Sequence, residues 1–387
     1  MLPRRIRREL LRRLTAYPAV ALIGPRQSGK TTLGRSLGGA YFDLEQESER
    51  LRLDLEWDQR TAGKALVVLD EAQSWPEVFP RLRGAIDRER ERAGRFLLLG
   101  SVSPSLMAHV SESLAGRLSQ IELTPFLWTE LTPTARKRLW LRGGYADGGV
   151  LEPARLPGRY PRWQLDYLAL LAQRDLPTWG LAAKPQTTDR LLRMLAAAHG
   201  QVWNASQIGQ SLGLSYQTVN SYLDYLVGAF LIRRLQPYQT NVRKRLVKSP
   251  KVYWRDSGLL HALLNVPDEH SLMAQPWVGA SWEGFVIEQV IGELTSRGRN
   301  FEPYYFRTSD QYELDLVLDL GTERWALEVK LTASPGPAAM ARLDQVADLI
   351  GASRRFLVSQ TGRSTGDEVR ASCNLPGLIQ RLRHWPR

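Results

Sequence analysis

Residues 24–31 read GPRQSGKT, with glycines at the first and sixth positions and then a lysine and a threonine. This is the G-x-x-x-x-G-K-[ST] pattern of a phosphate-binding loop, whose main-chain N–H groups converge on phosphate oxygens at a helix N-terminus. In that pattern Lys30 reaches the β- and γ-phosphates, and the Thr31 hydroxyl ligates Mg²⁺. We therefore predict that the chain uses ATP and Mg²⁺. The predicted nucleotide-binding residues are Gly24, Pro25, Arg26, Gln27, Ser28, Gly29, Lys30, Thr31, Thr32 and, further along the chain, Asp70.

Two acids follow the apolar run ALVVL at residues 65–69. Asp70, at the carboxyl end of a predicted buried strand, can hold Mg²⁺ through water. Glu71 is placed to polarise the attacking water, and only this second carboxylate handles the proton of the nucleophile. The pair therefore predicts ATP hydrolysis rather than nucleotide binding alone, with Glu71 and Lys30 as catalytic residues.

Two further segments contain candidate catalytic residues. In LLLGSVSPS (97–105), Ser101 or Ser103 could sense the γ-phosphate from the neighbouring strand, or Ser101 could be an ordinary capping serine. In SLAGR (113–117), Arg117 is a candidate arginine finger that stabilises charge in the transition state. Acting on a neighbouring subunit, it would require an oligomer, whereas the alternative is a salt-bridged surface arginine.

The elements that must position these residues follow from the hydrophobic pattern. Short apolar runs alternate with helical stretches, which predicts an α/β fold with a parallel sheet and helices on both faces. An arginine-rich amphipathic helix is predicted before the first strand, and proline- and glycine-rich sequence marks a boundary after the last. These segments are the helix at 4–16, the strands at 21–24, 41–45, 65–73 and 96–101, and the boundary at 143–161.

The motifs GPRQSGKTT, LDEAQ, GSVSPSL, SLAGR and ELTPFLWTEL resemble a family of prokaryotic AAA+-type P-loop ATPases with a C-terminal region of unknown function. The resemblance continues to YELDLVL and ALEVK and so covers nearly the whole chain. It implies an ATPase core with the N-terminal basic helix, a helical lid, a winged-helix-like module and a small α/β domain like restriction endonucleases. The predicted boundaries are 1–135, 136–184, 185–265 and 266–387. At Ser101, related ATPases often carry Asn or Thr.

The third predicted module is basic. Residues 1–13 and 185–261 together carry the whole net charge of +12, which is typical of a surface that binds a polyanion. Helices are predicted at 187–198, 205–212 and 216–229, and the last presents polar side chains that could read base edges. The predicted DNA contacts are Gln217 and Asn220 on this helix and Arg243, Lys244, Arg245 and Lys248 after it. Alternatively, the module docks a protein, or its basic segment braces the ATPase domain.

Near the C-terminus, ELDLVLDL and WALEVKL predict a β-hairpin that carries Asp315, Glu328 and Lys330. Two carboxylates can bind a divalent cation, and a lysine can orient water towards a phosphodiester. The alternation with apolar neighbours predicts that these groups share a face away from the core. The family resemblance implies that Glu283 could add a ligand. An active nuclease site and a structural relic both remain open.

Composition limits the remaining possibilities. The single cysteine, Cys373, excludes an internal disulfide, and no apolar run is long enough to span a membrane. We expect a cytoplasmic protein that does not act at a membrane. We predict an oligomeric, Mg²⁺-dependent ATPase that acts on DNA, with nuclease activity left open. The alternative is a regulatory NTPase that controls a protein partner and has an inactive nuclease-like domain.

Overall fold

The N-terminal part of the chain is built on a parallel sheet. In this computed structural model the described residues are 2–101, 114–152, 158–239, 246–310 and 312–385. The strands are β1 (Ala19–Ile23), β2 (Ala40–Asp43), β3 (Val67–Asp70), β4 (Phe96–Gly100) and β5 (Leu118–Glu122). All pairings are parallel and the order is β2-β3-β4-β1-β5. The predicted parallel α/β fold is confirmed.

Helices cover both faces of this sheet because each strand alternates its side chains between two apolar layers. The helices are α1 (Ile6–Leu14), α2 (Lys30–Arg35), α3 (Glu47–Ala62) and α4 (Val78–Arg88). In β1, Val20 faces α1 and α2, whereas Ala21 faces α3 and α4. The arginine-rich helix α1 therefore buries one apolar side and is part of the ATPase-type domain.

A helical region follows the sheet. Its helices are α5 (Pro133–Arg142), α6 (Arg162–Leu170), α7 (Leu176–Thr178), α8 (Pro185–Ala197), α9 (Ala205–Leu212), α10 (Tyr216–Gly228), α11 (Ser257–Leu263) and α12 (Glu269–Met273). Asn204 and Ser215 cap α9 and α10, each accepting a main-chain N–H bond at 3.1 Å. One hydrophobic core spans the region from Tyr145 to Leu263, so the predicted lid and the three-helix module pack as a unit.

The C-terminal part contains a mixed sheet. Its elements are α13 (Val278–Ser296), β8 (Glu302–Arg307), β9 (Glu313–Asp319), β10 (Arg324–Val329), α14 (Pro337–Leu349), β11 (Arg354–Val358), β12 (Thr365–Gly366), β13 (Arg370–Cys373) and α15 (Leu375–His384). An antiparallel hairpin of the helical region, β6 (Ile232–Pro237) and β7 (Lys251–Trp254), extends this sheet through a parallel pairing of β6 with β8. The sheet therefore crosses the boundary predicted at residue 265.

A buried ion-pair network connects the three parts of the chain. Arg255, just after β7, bonds Glu122 of β5 and lies 3.3 Å from Glu288 of α13. Arg233 donates to the same Glu288 carboxylate at 2.9 Å. The side chains of Arg255 and Glu288 are only 10% and 9% exposed, so loss of either partner would leave a costly buried charge. Within the described ranges, no helix has the length and apolar character needed to cross a bilayer.

Two buried histidines attach the helical region to the start of α13. Nδ1 of His199 accepts a bond from the main-chain N–H of Trp254 at 3.0 Å, and Nε2 lies 3.2 Å from the carbonyl oxygen of Ala280. Nε2 of His261 lies 2.6 Å from the hydroxyl of Ser281. Burial lowers the pKa of His199 to about 3 and that of His261 to about 4. Both rings are therefore neutral in the folded protein at ordinary pH.

We predict that acid destabilises the fold through these rings. Their pKa values are lower folded than unfolded, so the unfolded chain binds more protons, and stability falls as pH drops below about 6.5. For His199→Asn, the loss of unfolding free energy between pH 7 and pH 5 should be smaller than in the parent by about 2 kcal/mol. Urea titrations at both pH values measure this. The exposed His270→Asn is the control, and an unchanged loss in His199→Asn would contradict the prediction.

Candidate nucleotide site

The loop between β1 and α2 has the backbone of a phosphate cradle. Gly24 has φ +150°, and a Cβ there would lie 2.2 Å from the carbonyl oxygen of Leu123. Gly29 has φ +95° in the left-handed region and immediately precedes α2. Side chains at either position would clash or strain the turn. The local backbone geometry therefore requires glycine at both positions of the pattern. The same geometry directs the loop towards the N-terminus of α2.

Lys30 extends back into this loop. Its side chain is buried, and Nζ donates to the carbonyl oxygens of Gly24 at 2.9 Å and Pro25 at 2.8 Å. Burial lowers the pKa of Lys30 to about 8, although the carboxylates of Glu71 and Asp70 oppose that shift. A phosphate oxygen is a stronger, charge-assisted acceptor than a carbonyl. The ammonium is therefore held where an incoming phosphate can take over its bonds.

Thr31 and Asp70 meet beside the loop. The Thr31 hydroxyl donates to Oδ2 of Asp70 at 2.6 Å, and the hydroxyl of Tyr41 donates to the same oxygen at 2.6 Å. The main-chain N–H of Glu71 donates to Oδ1 at 3.0 Å. Hydroxyl and carboxylate oxygens are the ligands that Mg²⁺ takes in nucleotide sites. The oxygens of Thr31 and Asp70 fit that ion. Tyr41, whose hydroxyl holds Asp70 in place, was not identified from the sequence.

Glu71 is held in position by two donors. Ser101, at the end of β4, donates from its hydroxyl to Oε1 of Glu71 at 2.7 Å, and the amide of Gln73 donates to Oε2. Glu71 itself has φ +46°, a strained conformation for a residue with a side chain. The structure thus brings Ser101 to the predicted base, whereas Ser103 lies outside the described residues.

Ser28 places a buried hydroxyl in the loop. Among the described residues, no group hydrogen-bonds to the hydroxyl of Ser28, and the residue is only 5% exposed, so solvent does not replace the missing partner. An unsatisfied buried hydroxyl is unfavourable and often marks a ligand position. A phosphate oxygen in the loop would supply the missing acceptor. With the oxygens of Thr31 and Asp70, the loop fits a polyphosphate carrying Mg²⁺.

Three contacts to the loop were not foreseen. Arg4, which is buried, donates to the carbonyl oxygen of Ser28 at 2.6 Å. From the other side, the side chain of Arg26 lies 3.3 Å from the carboxylate of Asp175, and its carbonyl accepts from the hydroxyl of Tyr167 at 3.3 Å. The loop is therefore held by the N-terminal segment and by the helical region. In the sequence, Arg4 cannot be distinguished from the other arginines of the N-terminal helix. No sequence signal indicates that Arg26 pairs with Asp175.

Arg117 lies away from its own chain's loop residues. Its guanidinium bonds both carboxylate oxygens of Asp87, at 2.7 and 2.9 Å. This geometry matches the alternative of a salt-bridged arginine. Its role as a finger acting on a neighbouring subunit stays a prediction.

The predicted DNA contacts separate into three groups. Asn220 and Lys248 line one polar groove of about 830 Å³ together with Arg234. Asn220 also accepts a bond from the indole N–H of Trp203 at 2.8 Å, so part of its role is structural. Gln217 is exposed on α10 and is not part of the groove lining. The other three, Arg243, Lys244 and Arg245, lie outside the described residues.

The alternation of the C-terminal strands predicted that Asp315, Glu328 and Lys330 share a face away from the core, and for Asp315 this prediction is wrong. Asp315 is buried and accepts the main-chain N–H of Val329 at 2.7 Å, because apolar layers cover both faces of the sheet. Burial, together with the charges of Glu283 and Glu328, raises the pKa of Asp315. Among the described residues, no group of three His, Cys, Asp or Glu side chains could hold a metal ion.

A lysine ammonium lies among these acids instead. Nζ of Lys251 is 2.6 Å from Glu313 and 3.2 Å from Glu283, and its side chain is 4% exposed. Burial lowers the pKa of Lys251, but the carboxylates of Glu283, Asp315 and Glu313 outweigh burial and raise it. Lys330 pairs with Glu328 at 2.6 Å. The predicted divalent-cation site of Glu283, Asp315 and Glu328 is therefore corrected to an internally neutralised ion-pair cluster.

The sheet and loop define a P-loop NTPase, and comparison with known proteins agrees. Residues 16–132 match the AAA domain family, and residues 134–270 and 278–376 match two domains of unknown function, DUF8612 and DUF4143. Uncharacterized proteins of Mycobacterium tuberculosis (Rv2008c) and Mycobacterium bovis (Mb2031c) are each 38% identical over 363 residues, which cover 91% of this chain and 80% of theirs. The chain therefore belongs to their family, that of AAA-type P-loop ATPases with C-terminal domains of unknown function.

Solved structures give weaker similarity. DnaA from Aquifex aeolicus bound to AMPPCP is 13% identical with a TM-score of 0.29, covering 57% of this chain and 86% of that one. A STAND protein from Pyrococcus horikoshii is 14% identical with a TM-score of 0.28, covering 75% and 45%. Similarity at this level supports no conclusion about the present chain.

We predict that Lys251 substitutes for a metal ion. Lys251→Met should lower the free energy of unfolding by about 3–5 kcal/mol, because it leaves buried carboxylates without their partner. Millimolar Mn²⁺ should recover part of that loss in the variant and leave the nucleotide-free parent unchanged. Urea titration with and without Mn²⁺ measures both effects.

Lys248→Met is the control, since Lys248 is exposed on the same segment. If Mn²⁺ instead stabilised the parent, and Asp315→Asn abolished that effect, the acids would form a working metal site and the correction above would be wrong.

Proposed function

We propose that this protein hydrolyses ATP with Mg²⁺ and couples the hydrolysis to contact with DNA. The observation that carries the proposal is the meeting of Lys30, Thr31, Asp70, Glu71 and Ser101 at one edge of the parallel sheet. Their contacts, between 2.6 and 3.0 Å, hold an ammonium, a pair of cation ligands and a base around one loop. Family membership supports the same activity.

Each residue has a distinct task in the proposed mechanism. When bound, Mg²⁺ offsets charge on the β- and γ-phosphates. Lys30 exchanges its carbonyl partners for phosphate oxygens, and Thr31 and Asp70 supply oxygens at the ion's position. Glu71 orients a water molecule and accepts its proton as the water attacks the γ-phosphorus; the bond from that phosphorus to the β–γ bridging oxygen breaks, and ADP and inorganic phosphate are the products.

Ser101 links the base to the nucleotide in this mechanism. Its hydroxyl has one proton, which it donates to Glu71 at 2.7 Å. A γ-phosphate oxygen within reach would compete for that proton. If Ser101 turns to the phosphate, one carboxylate oxygen of Glu71 is released for the water. This exchange gives the serine a physical means to sense the nucleotide.

We predict opposite binding behaviour for two inactive variants. Glu71→Gln keeps the shape of the side chain but cannot accept a proton, so turnover should fall by 10²–10⁴-fold while ATP remains bound. Lys30→Ala removes a phosphate contact and should weaken ATP binding. Steady-state turnover and equilibrium binding of ATP measure the two effects. The exposed Glu77→Gln serves as the control, and hydrolysis at the parent rate by Glu71→Gln would contradict our assignment of the base.

The DNA part of the proposal rests on the helical region. The groove with Asn220 and Lys248 lies between α9, α10 and the hairpin, and its lining is mostly polar. Lys248 is exposed, as is Gln217 at the start of α10. The excess of basic residues between 185 and 261 supports contact with phosphates, and contacts of this kind position a protein without selecting sequence.

We predict that DNA stimulates ATP turnover and that salt suppresses this effect. Lys248→Gln should weaken duplex binding, and the slope of log K against log salt should become shallower by about 0.9, since one phosphate contact is lost. Fluorescence anisotropy across a salt series, alongside turnover assays with and without DNA, tests both statements. Lys64→Gln, an exposed lysine of the ATPase-type domain, should leave the slope unchanged.

If turnover ignored DNA and the slope of Lys248→Gln equalled that of the parent, the second candidate would be favoured. In it, the nucleotide state controls docking of a protein partner. The contact of Arg26 with Asp175 and Tyr167 supports this candidate, because it links the phosphate loop directly to the helical region. In both cases, we propose that the C-terminal domain binds rather than cleaves, since Lys251 neutralises its acids.

We also propose that the protein self-associates. In an oligomer, Arg117 would exchange its pairing with Asp87 for the γ-phosphate at a neighbouring subunit's loop. The exposure of the pair, 20% for Arg117 and 40% for Asp87, supports such an exchange because a solvent-exposed ion pair is weak.

A further inference from the structure

Arginines from two distant segments of the chain line a cleft between α1 and the end of α13. The cleft has a volume of about 320 Å³. Its lining contains five arginines and one glutamate, a formal excess of four positive charges. These residues are Arg5, Arg8, Arg12, Arg297, Arg299 and Glu9. None of them was assigned a function by the nucleotide site or by the proposed DNA groove.

The carboxylates near the cleft already have partners. Glu9 accepts bonds from Arg12 at 2.7 Å and from Arg13 at 2.8 Å. Glu293 accepts from Arg383 at 3.0 Å and lies 3.8 Å from Arg5. Among the described residues, two carboxylates are thus shared among four guanidinium groups. The described carboxylates therefore neutralise the charge of these four groups only in part.

Arg297 shows the consequence of this imbalance. Its guanidinium donates to the main-chain carbonyl oxygens of Leu382 at 2.9 Å and Arg383 at 3.1 Å. Those bonds orient the group without cancelling its charge. Burial lowers the pKa of Arg297, and the nearby charges of Arg299, Arg383 and Arg5 act in the same direction, against Glu293. An anion in the cleft would relieve this repulsion.

The close approach of the two segments is built into the backbone. Gly298 has φ +65°, and a Cβ at this position would lie 2.2 Å from the carboxyl carbon of Glu9. The positive φ favours glycine at this position, and a larger residue would have to displace the Glu9 carboxylate. The arginines on the two sides therefore face each other across a gap that the fold itself sets.

We propose that this cleft binds the phosphate groups of a nucleic-acid backbone. Arg5, Arg8 and Arg12 are spaced i, i+3 and i+7, so they form a stripe along one face of α1. At 1.5 Å per residue the stripe is about 10 Å long, which suits a chain of phosphates better than one small anion. Each guanidinium group can donate two hydrogen bonds to two oxygens of one phosphate. Among the described residues, the lining consists of charged side chains and Ser296, with no amide side chains, so the site does not depend on base sequence.

This site is distinct from the proposed groove around Lys248 and can be tested separately. The probe is a short, fluorescently labelled single-stranded oligonucleotide, titrated with the full chain in the absence of ATP across a salt series. Arg8→Gln should weaken binding several-fold and make the slope of log K against log salt shallower by about 0.7. Arg5→Gln/Arg8→Gln should double that change. Arg7→Gln, on the same helix but outside the cleft lining, should keep the parent slope.

Each result decides for or against the cleft. Equal weakening by Arg7→Gln and Arg8→Gln would mean that only net charge matters, and an unchanged slope in the double variant would remove these arginines from the interface. Either result overturns the proposal. If Arg8→Gln lowered the affinity for the oligonucleotide and Lys248→Gln did not, the result would support the cleft as the binding site and count against the groove.

A final arm separates a nucleic acid from a small anion. Millimolar inorganic phosphate is added to the parent and to Arg8→Gln, and the melting temperature is measured. If phosphate stabilised only the parent while both bound the oligonucleotide equally, the cleft would be a small-anion site and its assignment to nucleic acid would be wrong.

Discussion

The parallel pairing of β1, β3 and β4 is the constraint on which the candidate site depends. Strands that run in the same direction end at the same edge of a sheet, so residues far apart in sequence are brought together there. Gly24 follows β1, Asp70 ends β3 and Ser101 follows β4. The bond of Thr31 to Asp70 and that of Ser101 to Glu71 are direct consequences. The rest of the chain contributes by holding this edge in place.

Buried charges join that edge to the other parts of the molecule. Arg4 fastens the N-terminal segment to the phosphate loop, and Arg26 fastens the loop to the helical region through Asp175. Arg255 connects the first sheet to α13 through Glu288. In a chain this rich in arginine, much of the positive charge that the sequence suggests for ligands is engaged in such internal contacts. The cleft beside α1 is an exception, because its arginines outnumber the carboxylates near it in the part of the chain that the structure describes.

Local patterns predicted most of the fold. Strands β1 to β4 of the first sheet, the three helices that end with α10 and the β9–β10 hairpin appear close to their predicted bounds, because alternating and helical periodicities are properties of neighbouring residues. The fifth strand, β5, was not predicted. The attachment of the β6–β7 hairpin to the C-terminal sheet was not predicted. That pairing joins β6 to β8 across a long stretch of chain, and no local signal specifies such a partner.

The sequence by itself determined the phosphate loop and its acids, since Gly24, Gly29, Lys30 and Thr31 act through backbone geometry and helix position that adjacent residues impose. Only the tertiary structure decided which charges are available to ligands. Lys251 lies more than sixty residues before Asp315, yet its ammonium neutralises the acids that resemble a metal site. The physical reason is that ion pairing depends on distance in space and on burial, whereas a motif records only spacing along the chain.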